Sequence, residues 1–149
     1  MSLTIDKETA TKLYPDAPAW FQEEIKEKFG KKDFIKDWSD IKTYEDAVEF
    51  RPVDEDDIIY PTDRPHIVDY KQLCHIKKAI NGDWQADYTN EDQRKWFPVF
   101  RSAGSGFDFS GSYSCCDGRG SDVGSRLVFE SQAKSDYAGK IFIKQYNNL

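Results

Sequence analysis

The stretch KWFPVFRSAGSGFDFSGSYS, residues 95–114, decides the fold class of this chain. Two runs rich in aromatic residues flank the tripeptide GSG at 104–106, and the second run alternates apolar with polar residues. This pattern predicts two β-strands joined by a tight turn. We place the strands at residues 95–102 and 106–114. Pro98 is expected to mark an edge strand or a bulge, because proline cannot donate to a strand ladder.

The residues that follow extend this sheet. A third strand is predicted at residues 125–130, which would complete a three-stranded antiparallel meander. The alternation from Phe107 to Tyr113 predicts one apolar face and one solvated face. Ser131 is expected to cap a final helix whose aromatic residues, such as Tyr137, cover the sheet.

The first half of the chain is helical in pattern. Helical spacing predicts a helix over 69–81, and three shorter helices precede it. The residues expected to cap or end those three are Asp6, Pro15, Asp16, Gly30, Thr43 and Asp46. The proline-rich segment 51–66 contains the acidic run 54–57 and predicts a solvated loop. We predict one α+β domain over 4–149, with residues 1–3 a remnant of cloning.

Composition excludes several classes. The chain has 149 residues and a net charge of −6, which disfavours a general binder of nucleic-acid phosphates. It contains no apolar run long enough to span a bilayer and no signal segment, so no membrane contact is expected. Three cysteines, two of them adjacent, do not suit a secreted disulfide framework. A cytoplasmic protein is therefore predicted.

Neither the cysteines nor the histidines form a catalytic or metal-binding pattern. Adjacent Cys115 and Cys116 would point to opposite faces of a strand, and no CxxC motif accompanies them. Cys74 and His75 diverge on a helix, so they do not form a nucleophile and base. The acidic run 54–57 lacks the spacing of a calcium loop. We predict no cofactor, no metal and no assigned catalytic residue.

Two other groups of residues suggest binding or catalysis. A cluster of carboxylates beside Trp84 and Tyr88 would suit sugar binding or hydrolysis, although turn formation is the commoner role; its members are Asp83, Asp87, Glu91 and Asp92. Aromatic residues of the strands with nearby cations would suit single-stranded nucleic acid, although some of the rings must form the core. These residues are Trp96, Phe100, Tyr113, Arg94, Lys95, Arg101, Arg119 and Arg126.

Several short motifs occur in a fixed order along the chain. They are IKTYEDA (41–47), AINGDWQADY (79–88), KWFPVF (95–100), GSGFDF (104–109), VGSRLVFES (123–131) and YAGKIF (137–142). In this order they resemble a recurring group of small proteins carried by phages and integrated elements of gut bacteria. That group has no assigned activity, so the resemblance implies a genomic setting and no reaction. The Cys115-Cys116 pair and the acidic run look peculiar to this chain.

The sequence favours a non-enzymatic phage or mobile-element accessory protein that binds another macromolecule, most simply a protein, through the open sheet face and glycine-rich loops. Single-stranded nucleic-acid binding and a small hydrolase using Asp83 and Asp87 stay open as alternatives. The oligomeric state is not fixed, because an edge strand leaves a homodimer open. The candidate binding residues are Trp84, Trp96, Phe100, Arg101, Gly104, Gly106, Tyr113 and Arg126.

Overall fold

Helices come first along the chain, a β-hairpin follows, and two helices end it. The computed structural model describes residues 4–115 and 127–149. The α-helices there are α1 (Lys7–Leu13), α2 (Ala19–Phe29), α3 (Tyr44–Phe50), α4 (Pro65–Asn81), α5 (Gln132–Ile141) and α6 (Ile143–Asn147). The strands are β1 (Lys95–Ala103) and β2 (Gly106–Cys115). Single 3₁₀ turns occupy Tyr14–Asp16, Lys32–Phe34, Trp38–Asp40 and Glu55–Asp57. The α+β class is as predicted.

The ends of the early helices mostly follow local capping rules. The Asp6 carboxylate accepts a hydrogen bond from the Thr9 N–H (2.7 Å), and Thr43 with Asp46 forms the predicted capping box. Gly30 ends α2 with a φ of +90°, a backbone angle that residues other than glycine rarely adopt. The Asp16 cap is wrong, because extended Pro18 directly precedes α2 and Asp16 lies in the preceding 3₁₀ turn.

Helix α4 is the central element of the larger core. It begins at Pro65, four residues before the predicted start, since proline is tolerated in a first helical turn. Its buried residues include Leu73, Ile76 and Ile80, which join a cluster containing Phe129 and Phe142. Helices α3, α5 and α6 contact it. A smaller cluster packs separately around Ala10, Ile25 and Phe34. Within the described residues, every helix is too short or too polar to cross a bilayer.

The hairpin turn and a bulge fix the geometry of the sheet. Ala103 pairs with Gly106 across a two-residue turn in which Gly104 has a φ of +61°. The register shifts between Val99 and Phe100, so β2 contains one more residue than β1 at that point. Pro98 lies beside this bulge, as expected.

The predicted third strand is not confirmed. Phe129 forms one antiparallel bridge, with N–H to O distances of 2.9 and 2.7 Å, and its partner is Trp96 of β1 rather than a residue of β2. Two residues along, Pro98 occupies the next hydrogen-bonding position on that edge and has no N–H to donate. Antiparallel pairing would set Pro98 opposite Leu127, two residues before Phe129, so the missing N–H explains why the bridge does not extend to Leu127. Residues 125 and 126 of the predicted strand lie outside the described ranges.

The acidic run is not wholly solvated, which corrects the prediction for residues 54–57. Asp57 is only 2% exposed. Its carboxylate lies 2.6 Å from Lys78 Nζ of α4, and Asp54 lies 2.9 Å from the same nitrogen. The lysine supplies the opposite charge that makes burial of the Asp57 carboxylate tolerable.

His75 of α4 makes stability depend on pH. The residue is completely buried, and its ring meets Tyr44 edge-on at 5.8 Å. Among the residues that the structure describes, neither ring nitrogen has a hydrogen-bond partner. Burial lowers the pKa of His75, and the nearby Ala47 backbone offsets this only in part. The His75 imidazole therefore binds a proton more readily in the unfolded chain than in the folded one. The folded state loses stability as the pH falls below about 6.5.

We predict that His75→Leu weakens this pH dependence. Wild-type protein should lose at most about 2 kcal/mol of unfolding free energy from this residue between pH 7.5 and pH 5. The variant should lose less over that interval, and at pH 7.5 it should be at least as stable because it buries no unpaired polar atom. Urea unfolding at the two pH values measures both effects. If the variant loses as much unfolding free energy between pH 7.5 and pH 5 as wild type does, groups other than His75 cause the pH dependence.

Candidate functional site

One face of the hairpin is covered by the C-terminal helices. Ser112 Oγ donates to Ser135 Oγ of α5 at 2.7 Å. The rings of Phe100 and Tyr146 lie 4.8 Å apart. A Cβ atom on Gly139 of α5 would overlap both Phe109 and Pro98. Side chains two positions apart on a strand share a face, so this face also carries Trp96, two residues before Pro98.

The bulge separates aromatic residues that the sequence places together. Phe109 is paired with Phe100 on the covered face, whereas Tyr113 is paired with Phe97 on the opposite face. One extra residue in β2 reverses which face its side chains occupy, so a single apolar face from Phe107 to Tyr113 is wrong. Tyr113 is 63% exposed, while Trp96 is half-buried and packs against the core.

The predicted nucleic-acid surface is accordingly not assembled in one place. Lys95 is fully buried, donates to the Asn90 carbonyl at 2.9 Å and lies 5.5 Å from the centre of the Tyr88 ring. Arg101 is exposed and stands opposite Asp108 in the register. Arg119 and Arg126 lie outside the described residues.

The two candidate glycines have structural roles. Gly104 occupies the left-handed position of the turn. Gly106 leaves room for Asn147, whose Oδ1 atom would lie 2.8 Å from an added Cβ. The same Asn147 side chain accepts from the Phe107 N–H (2.7 Å) and donates to the Phe107 carbonyl (3.0 Å). These bonds hold the start of β2 against α6.

An apolar groove lies where the hairpin, α6 and the last residue of the chain meet. We call it the hairpin groove; its volume is about 440 Å³ and its lining residues are Pro98, Val99, Phe100, Phe107, Leu127, Tyr146 and Leu149. The described residues that line it carry no charged side chain. Phe107 is 51% exposed and Leu149 is 53% exposed, so large apolar surfaces at this groove face the solvent. Of the predicted site residues, Phe100 belongs to it.

Trp84 lies at a different and more polar site. We call it the Trp84 cavity; its volume is about 420 Å³ and its lining residues are Arg51, Asp54, Lys77, Lys78, Asn81, Gly82, Trp84, Gln85, Ala86, Tyr88 and Val128. The end of α4 forms one wall, and the segment after it, 82–88, forms another. Trp84 is half-buried there.

The carboxylates near Trp84 that the sequence suggested for catalysis lie at the surface. Asp83 and Asp87 are both exposed. The hydroxyl and backbone N–H of Thr89 hold the pKa of Asp87 below its usual value, whereas a general acid needs a raised pKa. Both hydrogen bonds are those of a turn. Among the described residues, no cluster of three or more His, Cys, Asp or Glu is placed to hold a metal ion.

The cysteines add no site. Cys74 is a buried thiol of α4 and Cys115 is half-buried at the end of β2, and neither forms a disulfide with another described residue. Cys116 lies outside the described residues.

Sequence reasoning missed most of the hairpin groove. Phe107 and Leu149 lie 42 positions apart and are brought together by the packing of α6 on β2. One signal was present: Phe142 and Tyr146 stand four positions apart, and helical neighbours at that spacing share a face. Phe142 is 1% exposed in the core, and Tyr146 one turn later borders the groove. Comparisons with protein-family models, curated proteins and solved structures found no match to this chain.

Proposed function

We propose that this chain is a non-enzymatic interaction protein that binds another protein through the hairpin groove. The observation that carries the proposal is an apolar groove with half-exposed Phe107 and Leu149 in a chain whose residues are 32% charged. Contiguous apolar surface of this kind, surrounded by polar residues, is typical of protein-binding sites. The resemblance to phage and mobile-element proteins supports an accessory role in such an element.

The groove suits a partner that inserts one or two large apolar side chains. Interface energy is concentrated in a few such residues seated in well-packed pockets. The walls of the groove are held in place by other contacts, because Asn147 fixes the backbone of Phe107 and the Phe100 ring packs on Phe109. A groove that is already formed loses little conformational entropy on binding.

We predict that Phe107→Ser strongly weakens partner binding. The change removes a large apolar contact from the groove, and loss of such a residue costs about 2 kcal/mol or more, a roughly thirtyfold weaker complex. The tagged chain is purified from its native host with and without nuclease, and the co-purifying protein is quantified. Unfolding of the variant in urea checks that the fold is intact.

Tyr113→Ser is the matched control, because Tyr113 is also a large exposed aromatic residue of β2 but lies on the opposite face. It should retain the partner. Equal retention by both variants would place the interface elsewhere, and loss of the partner on nuclease treatment alone would favour nucleic-acid binding. If wild-type protein retains no partner in either arm, the interaction proposal fails.

A further inference from the structure

The Trp84 cavity has the size and lining of a small-molecule site. Its volume of about 420 Å³ lies within the usual range of roughly 300–1,000 Å³ for ligand pockets. Within the described ranges, two aromatic residues, Trp84 and Tyr88, line it together with six charged or amide side chains that can contact a polar ligand. The hairpin groove shares none of its lining residues, so the two sites are independent.

Cations outnumber carboxylates in the lining of the cavity, although the chain as a whole is acidic. Arg51, Lys77 and Lys78 contribute three cations, and Asp54 is the one carboxylate among the described residues that line it. The whole chain carries a net charge of −6. Lys78 is already paired with Asp54 and with Asp57, so an anion in this concave site would meet mainly the other two cations.

Hydrogen bonds from one nitrogen fix the guanidinium of Arg51, and its other N–H groups can still donate to a ligand. Its Nη1 atom donates to the carbonyl oxygens of Gly82 (3.0 Å) and Lys78 (3.4 Å) at the end of α4. Its Nη2 atom lies 4.0 Å from the Asp54 carboxylate, too far for a hydrogen bond. The rest of the guanidinium therefore keeps N–H donors suited to the oxygens of a phosphate.

Trp84 supplies a flat surface beside these cations. Its half-buried ring lines the cavity and makes no ring stacking or cation–π contact with another described residue. Indole faces stack on planar heterocycles, and a stacked base contributes about a five- to 150-fold gain in affinity. An aromatic wall next to a fixed guanidinium selects a ligand with a planar ring and an anionic group.

We infer that the Trp84 cavity binds a nucleoside monophosphate, with the base stacked on Trp84 and the phosphate held by Arg51 and Lys77. This inference does not depend on the proposed function. The phosphate adds a charge-assisted interaction that a neutral nucleoside lacks, and the base adds stacking that free phosphate lacks.

Calorimetric titration of the full chain tests this with AMP, GMP, CMP and UMP, and with adenosine and inorganic phosphate as partial ligands. At least one monophosphate should bind at millimolar concentration or below, and more tightly than adenosine or phosphate. No binding by any of the four would overturn the inference. If AMP binds but adenosine binds equally well, the cations do not hold the phosphate.

Substitutions separate stacking from charge. Trp84→Ala should weaken the monophosphate about tenfold or more, and Trp84→Phe should restore most of the affinity by restoring a ring. Lys77→Gln should lower the affinity for the monophosphate and leave the affinity for adenosine unchanged.

Trp20→Ala is the matched control, since Trp20 is 65% exposed on α2 and does not line the cavity. Phe107→Ser should bind the monophosphate as wild type does. Unchanged affinity in Trp84→Ala would overturn the inference.

Discussion

Replacement of Lys78 by methionine is expected to lower the free energy of unfolding by about 3–5 kcal/mol. The Lys78 ammonium lies 2.6 Å from the carboxylate of Asp57, whose side chain is 3% exposed. Methionine keeps an unbranched apolar side chain in contact with its neighbours but leaves the Asp57 carboxylate buried without an opposite charge. Burial of an uncompensated charge is among the most destabilising single changes in a protein. Urea unfolding at neutral pH measures the loss.

The state of this ion pair at neutral pH follows from the pKa of Lys78. Burial alone lowers it, but hydrogen bonds to Asp57 and Asp54 outweigh that effect and raise the pKa of Lys78 above 10.5. The lysine therefore stays charged at neutral pH. Its contribution to stability is complete below the unfolded pKa near 10.5 and is lost only as the pH rises through the higher folded value.

Lys12→Met is the matched control for the same chemical change at the surface. Lys12 and Glu8 form an ion pair at 2.8 Å, but their side chains are 73% and 81% exposed. Water solvates both charges, so this change should cost about 0.5 kcal/mol or less. A similarly small loss in Lys78→Met would mean that water reaches Asp57 once the lysine is absent.

Local rules account for the features that the sequence predicted well. Caps at Asp6, Thr43 and Ser131 each depend on a side chain and a backbone N–H three residues along, and all three are present. The hairpin depends on a two-residue turn whose glycine adopts a positive φ. Such features need only neighbouring residues, so one sequence suffices to predict them.

Contacts between distant residues account for what was missed. The acidic run was predicted to be solvated, but Lys78 stands 21 positions after Asp57 and neutralises it. The bulge at Ser110 reverses the faces of β2. Pro98 indicated a bulge or an edge on β1, but the alternation in β2 was interpreted without an extra residue. Contacts between distant residues also divide the candidate residues between two sites. Phe100 lies in the hairpin groove, whereas Trp84 lies in the Trp84 cavity.

Gly139→Ala should lower the free energy of unfolding by about 1–2 kcal/mol, although alanine is the better helix former. In a helix interior, alanine normally exceeds glycine by about 1 kcal/mol. At Gly139 the new Cβ would lie 2.5 Å from Phe109 Cδ2 and 2.8 Å from Pro98 Cβ. Overpacking of a closed contact costs about 1–3 kcal/mol, and a shift of α5 away from the hairpin would also disturb the bond between Ser112 and Ser135.

Ala133→Gly measures the helix-propensity effect without the steric one, because Ala133 is exposed on the same helix. Ala133 is the second residue of α5, so its expected loss is below the roughly 1 kcal/mol of a helix interior, and it sets a lower bound on the propensity gain that alanine would bring at Gly139. The steric cost at Gly139 is then the measured loss plus that gain, and urea unfolding of both variants yields a lower bound on it. A stabilised Gly139→Ala would show that α5 can move off the hairpin without penalty. Since α5 and α6 together position Tyr146 beneath Phe100, such freedom would also mean that the hairpin groove is not held in one shape.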